Sequence, residues 1–192
     1  MSKKIVTRSQ NVDPYFKLLT EIDRVKNKRK HVDDDADAVS KICKSSLSKR
    51  NANFTLFVTN RNSANEVETI RRNNIVAVLT LGKSNRLDSD VVDVIPMAYK
   101  LIDIEDCSTF DNMAYIQRSV FPISRKFIQS WLQRGNVLIH CMQGMNRSPL
   151  VALDYLLNVE KHNVETAVDS VLNERSFVFP ERSLLLQTLF LK

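Results

Sequence analysis

From residue 53 onward, short apolar runs alternate with stretches of helical periodicity. FTLFVT at 54–59 reads as a strand, IVAVLTL at 75–81 as a second, and VVDVIP with YKLIDI at 91–104 as one or two more. NVLIH at 136–140 has the character of a buried strand and runs straight into Cys141. Ser63-Ala64-Asn65-Glu66 has the spacing of a capping box and opens a helix that fades at Asn73-Asn74. A longer helical stretch covers roughly 112–134, broken or kinked at Pro122 and stopped by Gly135. Further helices are expected at about 148–160, 164–175 and 181–191. Strands alternating with helices predict an α/β fold, a mostly parallel central sheet flanked by helices.

Ahead of this pattern, Phe16, Leu18, Leu19, Ile22 and Val25 recur at helical spacing, as do Val32, Ala36, Val39 and Ile42. The second set is led by Asp33, Asp34 and Asp35 and closed by Lys41 and Lys44, the charge order a helix dipole favours. Two short helices packing on the main domain are therefore expected. Charge sharpens the division. Residues 1–52 hold 13 Lys and Arg against 7 Asp and Glu, whereas residues 53–192 hold 15 of each. The whole net charge of +6 thus belongs to a basic, helical N-terminal extension (1–52), set against a neutral main domain (53–192). KNKRK at 26–30 reads first as a solvated helix end, and second as a partner-binding or nuclear-import segment. An acidic partner, nucleic acid, or helix exchange that makes a dimer are the other uses open to 1–52.

Composition narrows the class. Hydrophobic residues at 43% and charged residues at 26% exclude a wholly disordered chain. No apolar run approaches the ~18 residues of a membrane span. The opening MSKKIVTRSQ lacks the apolar core of a secretory signal. Three widely separated cysteines argue against a disulfide framework and for a reducing, intracellular setting, cytoplasmic or nuclear.

The candidate chemistry is concentrated in HCMQGMNRS at 140–148. A strand ends at His140, a loop runs from Cys141 to Arg147, and Ser148-Pro149 opens a helix. Strand, tight loop and helix N-terminus together turn backbone N–H groups toward an anion. Met142, Gln143, Gly144, Met145 and Asn146 would supply those groups, and Gly144 a conformation that residues with a Cβ avoid. Arg147 can fork two phosphate oxygens. A thiol in such a field reacts as a thiolate, which casts Cys141 as a nucleophile. Composition alone would produce H-C-x-x-G-x-x-R in only ~5 of 100,000 such chains. Metal ligation does not fit, since there is no C-x-x-C, and His31 and His162 lie in unrelated segments. His140, adjacent to Cys141 on a strand, points to the opposite face and supports the loop from behind.

HCMQGMNRSP resembles the signature (HCx5RS) of small cysteine-dependent dual-specificity protein phosphatases. The resemblance extends to residues 56–81, to YKLIDIED at 99–106 and to RSFVFPERSLLLQTL at 175–189, covering about 53–191. It implies a two-step reaction without metal or cofactor. Cys141 attacks the phosphate monoester, Arg147 and the loop amides hold the oxygens, and Ser148 stabilises the departing thiolate. A carboxylate must protonate the leaving group. By resemblance Asp106 is favoured, following its strand as the family's acid does, although its 35 residues to Cys141 exceed the usual gap. Asp111 is the runner-up, and Asp103 and Glu105 remain. Extra residues around Pro122 would account for the gap. Cys107, beside Asp106, reads as an incidental loop cysteine before it reads as a redox partner of Cys141. Met142 and Met145 are expected to form an apolar pocket wall.

The chain has no room for the elements that deepen the pocket in large tyrosine-specific phosphatases. A shallower pocket admits phosphoserine and phosphothreonine as well as phosphotyrosine. Residues 142–146 are neutral, unlike the lysine-bearing loops of phosphoinositide phosphatases. The RNA 5′-phosphatase branch shows HCTHGxNRTG; this chain shares Asn146-Arg147 with it but differs at Met142-Gln143 and Ser148-Pro149. Phosphoprotein is therefore the favoured substrate. RNA 5′-phosphate is the enzymatic alternative, and a weakly active phosphate-binding scaffold the non-enzymatic one.

Overall fold

The structure, a computed structural model, describes residues 14–28, 39–44, 54–175 and 177–179. Five strands form one sheet in the order β1-β2-β5-β3-β4. They are β1 (Ser40–Lys44), β2 (Thr55–Thr59), β3 (Ile75–Leu81), β4 (Ala98–Ile102) and β5 (Asn136–His140). All neighbours are parallel except β1, which runs antiparallel to β2. NVLIH takes the central place because it is apolar on both faces. Leu138 faces Phe57 and Val78 on one side, while Val137 and Ile139 join Leu56, Val58, Ala77 and Leu79 on the other.

Helices cover both faces. On one side lie the short α2 (Arg61–Ala64), α3 (Val67–Arg72) and α4 (Ser89–Val92), contributing Ala64, Ile70 and Val91. On the other lie α1 (Pro14–Lys28), α6 (Phe121–Trp131), α7 (Arg147–Asn158) and α8 (Val164–Leu172). Helix α1 forms where the first periodic set predicts it, burying Leu18, Ile22 and Val25. Its Arg24 donates to Glu21 in the same helix and, at 3.0 Å, to Asp169 of α8.

Two expectations are corrected and one is narrowed. The second periodic set does not end as a helix: Ser40–Lys44 is extended, burying Ser40 and Ile42 on alternate positions against β2. Pairing with an otherwise open sheet edge overrides the helical spacing. Residues 29–38, including Val32 and Ala36 of that set and the end of KNKRK, lie outside the described residues, as do 45–53 and the helix expected at 181–191. The capping box does not form. Asn60 caps α2 by accepting from the Ser63 N–H at 2.9 Å, and Glu66 precedes a separate helix. Finally, of the one or two strands expected over 91–104 one forms, because Val91 and Val92 belong to α4.

The long helical region is continuous but uneven. Helix α5 (Phe110–Tyr115) passes into a wide π-turn at Ile116–Val120 and then into α6, with Pro122 in its first turn. Pro122 has no N–H to donate to the preceding turn, and a widened turn accommodates that gap. An ion pair on a buried carboxylate ties this region to α7: the half-buried Arg125 donates to both oxygens of Asp154, at 2.7 and 2.5 Å. Burial raises the Asp154 pKa despite that guanidinium. Among the described residues, no helix is long and apolar enough to cross a membrane.

Candidate active site

The four parallel strands end on one edge of the sheet, at Thr59, Leu81, Ile102 and His140. In α/β sheets this is the edge that carries chemistry. The loop Cys141–Asn146 crosses it between β5 and α7. Gly144 stands at φ +68°, and a Cβ there would come within 2.9 Å of the Thr59 backbone and 2.8 Å of Arg175 Nη2. Both the left-handed backbone and the lack of space require glycine.

Three loop carbonyls are held by surrounding elements. Met142 O accepts from the Arg61 N–H at 3.0 Å, and Met145 O from the Phe179 N–H at 2.9 Å. Gly144 O accepts from Arg175 Nε at 3.3 Å. In a trans peptide the C=O and the next N–H point in opposite directions. Carbonyls turned outward therefore direct the N–H groups of Gln143, Met145 and Asn146 to the concave side of the loop. Backbone donors arranged in this way have the geometry that an anion-binding loop requires.

Cys141 sits at the base of the loop, 1% exposed, with its Sγ 3.3 Å from Ser148 Oγ. His140 is fully buried behind it, Nε2 meeting Thr80 Oγ1 at 2.6 Å. Burial lowers the His140 pKa to about 4, so the ring is neutral at physiological pH. Arg147 is 8% exposed, and its Nη1 donates to Ile104 O at 3.4 Å. Its Nε lies 3.5 Å from Asp106 Oδ2 but has no hydrogen-bond partner among the described residues. A buried, preoriented donor of this kind suits an incoming oxyanion.

The carboxylates separate by position. Asp106 alone among the four candidates forms an ion pair with Arg147. Asp103 instead accepts from the Lys83 N–H at 2.8 Å, Glu105 lies near the Cys107 thiol, and Asp111 is in the first turn of α5. Two residues unnoticed in the sequence set this geometry. Asn112 Nδ2 donates to Glu105 O at 3.1 Å and to Cys107 O at 2.7 Å, clamping the chain on both sides of Asp106. Gly82, at φ +94°, leaves space for Arg147: a Cβ there would collide with Nη1 and come within 2.9 Å of Asn85 Nδ2. A glycine at a strand end, one of only three in the chain, was the available signal. Met142 and Met145 do line a depression, about 360 Å³ in volume, together with Asn60, Asn62 and Gln143.

The family model for "Dual specificity phosphatase, catalytic domain" matches residues 56–190. The chain belongs to the dual specificity phosphatase family. It is 32% identical over 135 residues to dual specificity protein phosphatase MPK-4 of Drosophila melanogaster, covering 69% of this chain and 33% of that protein. To dual specificity protein phosphatase 1B of Arabidopsis thaliana it is 29% identical over 133 residues, covering 69% and 74%. The chain spans a third or less of the length of the first relatives it matches. Among solved structures, the Yvh1 phosphatase domain from Chaetomium thermophilum superposes with a TM-score of 0.59 at 21% identity, covering 79% of this chain and 93% of that one. Human DUSP28 does so at 0.56 and 16% identity, covering 70% and 85%. These similarities show that the dual specificity phosphatase fold is shared.

Proposed function

We propose that the chain hydrolyses phosphotyrosine and phosphoserine or phosphothreonine in proteins through a cysteinyl-phosphate. The observation that carries this reading is the convergence of Cys141, Ser148, Arg147 and Asp106 on one loop edge. Cys141 Sγ attacks phosphorus while the P–O bond to the substrate breaks, and Asp106 gives its proton to the leaving oxygen. Water then attacks the cysteinyl-phosphate and loses a proton to Asp106. Inorganic phosphate leaves, and the Ser148 hydroxyl donates to the departing thiolate. Arg147 and the loop N–H groups hold the equatorial oxygens throughout. Reading Asp106 as the acid is supported by its place beside Arg147, and the 35-residue gap by the wide turn just before Pro122.

The named relatives are protein phosphatases, which favours a phosphoprotein over RNA 5′-phosphate. A reactive thiol of this kind needs a reducing compartment, so cytoplasm or nucleus is the proposed setting. We take 53–192 as the catalytic unit, and 1–52 as an extension whose described parts pack on it. Purified protein should turn over a small aryl phosphate, and Cys141→Ser should abolish that turnover. Absence of turnover across about pH 5–8 would leave only the scaffold reading.

A further inference from the structure

Two of the three carbonyl anchors behind the phosphate loop lead back to the N-terminal segment. Arg175, which holds Gly144 O, is fully buried, and its Nη1 donates to Ser40 Oγ of β1 at 3.2 Å. The Ser40 hydroxyl in turn donates to Glu174 O at 3.2 Å. Phe177 lies under the guanidinium, ring centroid 4.7 Å from Cζ. Phe179, which holds Met145 O, accepts from Lys26 Nζ of α1 at 3.2 Å through its own carbonyl. Strand β1 and helix α1 thus each reach the loop through one intermediate residue of the segment after α8.

We propose that Arg175 and Ser40 are positioning residues of the phosphate loop, and that β1 thereby takes part in catalysis from the first quarter of the chain. The inference deepens the phosphatase reading and rests on it. A guanidinium is rigid and planar, so fixing Nη1 on Ser40 fixes the direction in which Nε faces Gly144 O. That carbonyl fixes its peptide plane, and the plane aims the Met145 N–H at the anion. The effect should be largest where charge on the phosphoryl oxygens is greatest, in the transition state. The buried positive charge also lies behind the loop, where its field favours an anion on the concave side.

The test uses the full chain with Ser40→Ala, Ser40→Thr, Arg175→Lys and Arg175→Met. Aryl phosphate kinetics, orthovanadate affinity and thermal unfolding are measured on each. Ser40→Ala should lower kcat about fivefold with KM nearly unchanged, and weaken orthovanadate by a similar factor, with recovery in Ser40→Thr. Arg175→Met should lose about 100-fold in kcat, and Arg175→Lys less. Should Arg175→Met fail to fold, the Ser40 pair and Arg175→Lys still decide. A fall in unfolding temperature with unchanged kcat and orthovanadate affinity would overturn the proposal. Failure of the wild type on aryl phosphate would instead overturn the phosphatase reading, and the two failures are distinct.

Discussion

The loop carrying Cys141 and the loop carrying Asp106 meet at Arg147, yet they are held by different means. Residues 141–146 hang from three outward carbonyls, two of them gripped by the segment after α8 and one by α2, with a glycine where no Cβ fits. Residues 103–109 are largely exposed: Asp103 and Ile104 are tied to Lys83 and Arg147, but around Asp106 the hold is Asn112 and the ion pair at 3.5 Å. The difference fits the proposed chemistry. An oxyanion cradle works only if its donors are already aimed, because reorienting them would cost free energy during the reaction. A proton donor must approach a leaving group that varies between substrates, and must later face water, so a lighter hold suffices.

Substitutions can break this contrast. The largest loss is expected from Gly144→Ala, which meets Thr59 and Arg175 at once. Turnover should fall about 1,000-fold with secondary structure intact by circular dichroism. A tolerated alanine would show that the cradle is not rigid. Next comes the support behind it. His140 stays neutral in the folded protein down to about pH 4, whereas the unfolded chain takes up the proton near its usual 6.5. Stability should therefore fall as pH drops through that window, by about 3 kcal/mol in total. Urea unfolding of wild type and His140→Gln at about pH 7 and 4.5 measures it, and the variant should lose that part of the slope.

The acid loop should respond selectively. Asp106→Ala should slow a phosphothreonine peptide about 100-fold, but an aryl phosphate tenfold or less, since the phenolate needs little protonation. Equal losses on both substrates would move the acid role to another carboxylate. Asn112→Ala should give the smallest effect, about threefold on the peptide, with orthovanadate affinity unchanged. If orthovanadate also weakened, the two loops would be one mechanical unit.

The contrast also marks what the sequence could disclose. HCMQGMNRS is contiguous, so loop, nucleophile and arginine were legible together, as were β2, β3 and β5 from their apolar runs. Sheet order was not, since it depends on pairing between distant segments. Strand β1 carries helical spacing, with Val39 and Ile42 three apart, and an edge partner decides such a short segment. Asp106 could be ranked but not placed, since its distance from Arg147 depends on how β4 ends beside β3. Arg175, Gly82 and Asn112 act through contacts 31, 65 and about five to seven residues away, which no local pattern encodes.

The bond from Ser40 to Arg175 spans 135 residues. During synthesis, β1 leaves the ribosome long before the arginine that joins it to the phosphate loop, and the central strand β5 is also made late. Until then the sheet lacks its middle, and contacts of such separation form slowly. The nascent chain therefore carries its cysteine before it carries the support for that cysteine's anion cradle. The proposed activity should therefore mature only after the last anchor closes, and refolding followed by turnover and by Trp131 fluorescence would show the two signals separated in time.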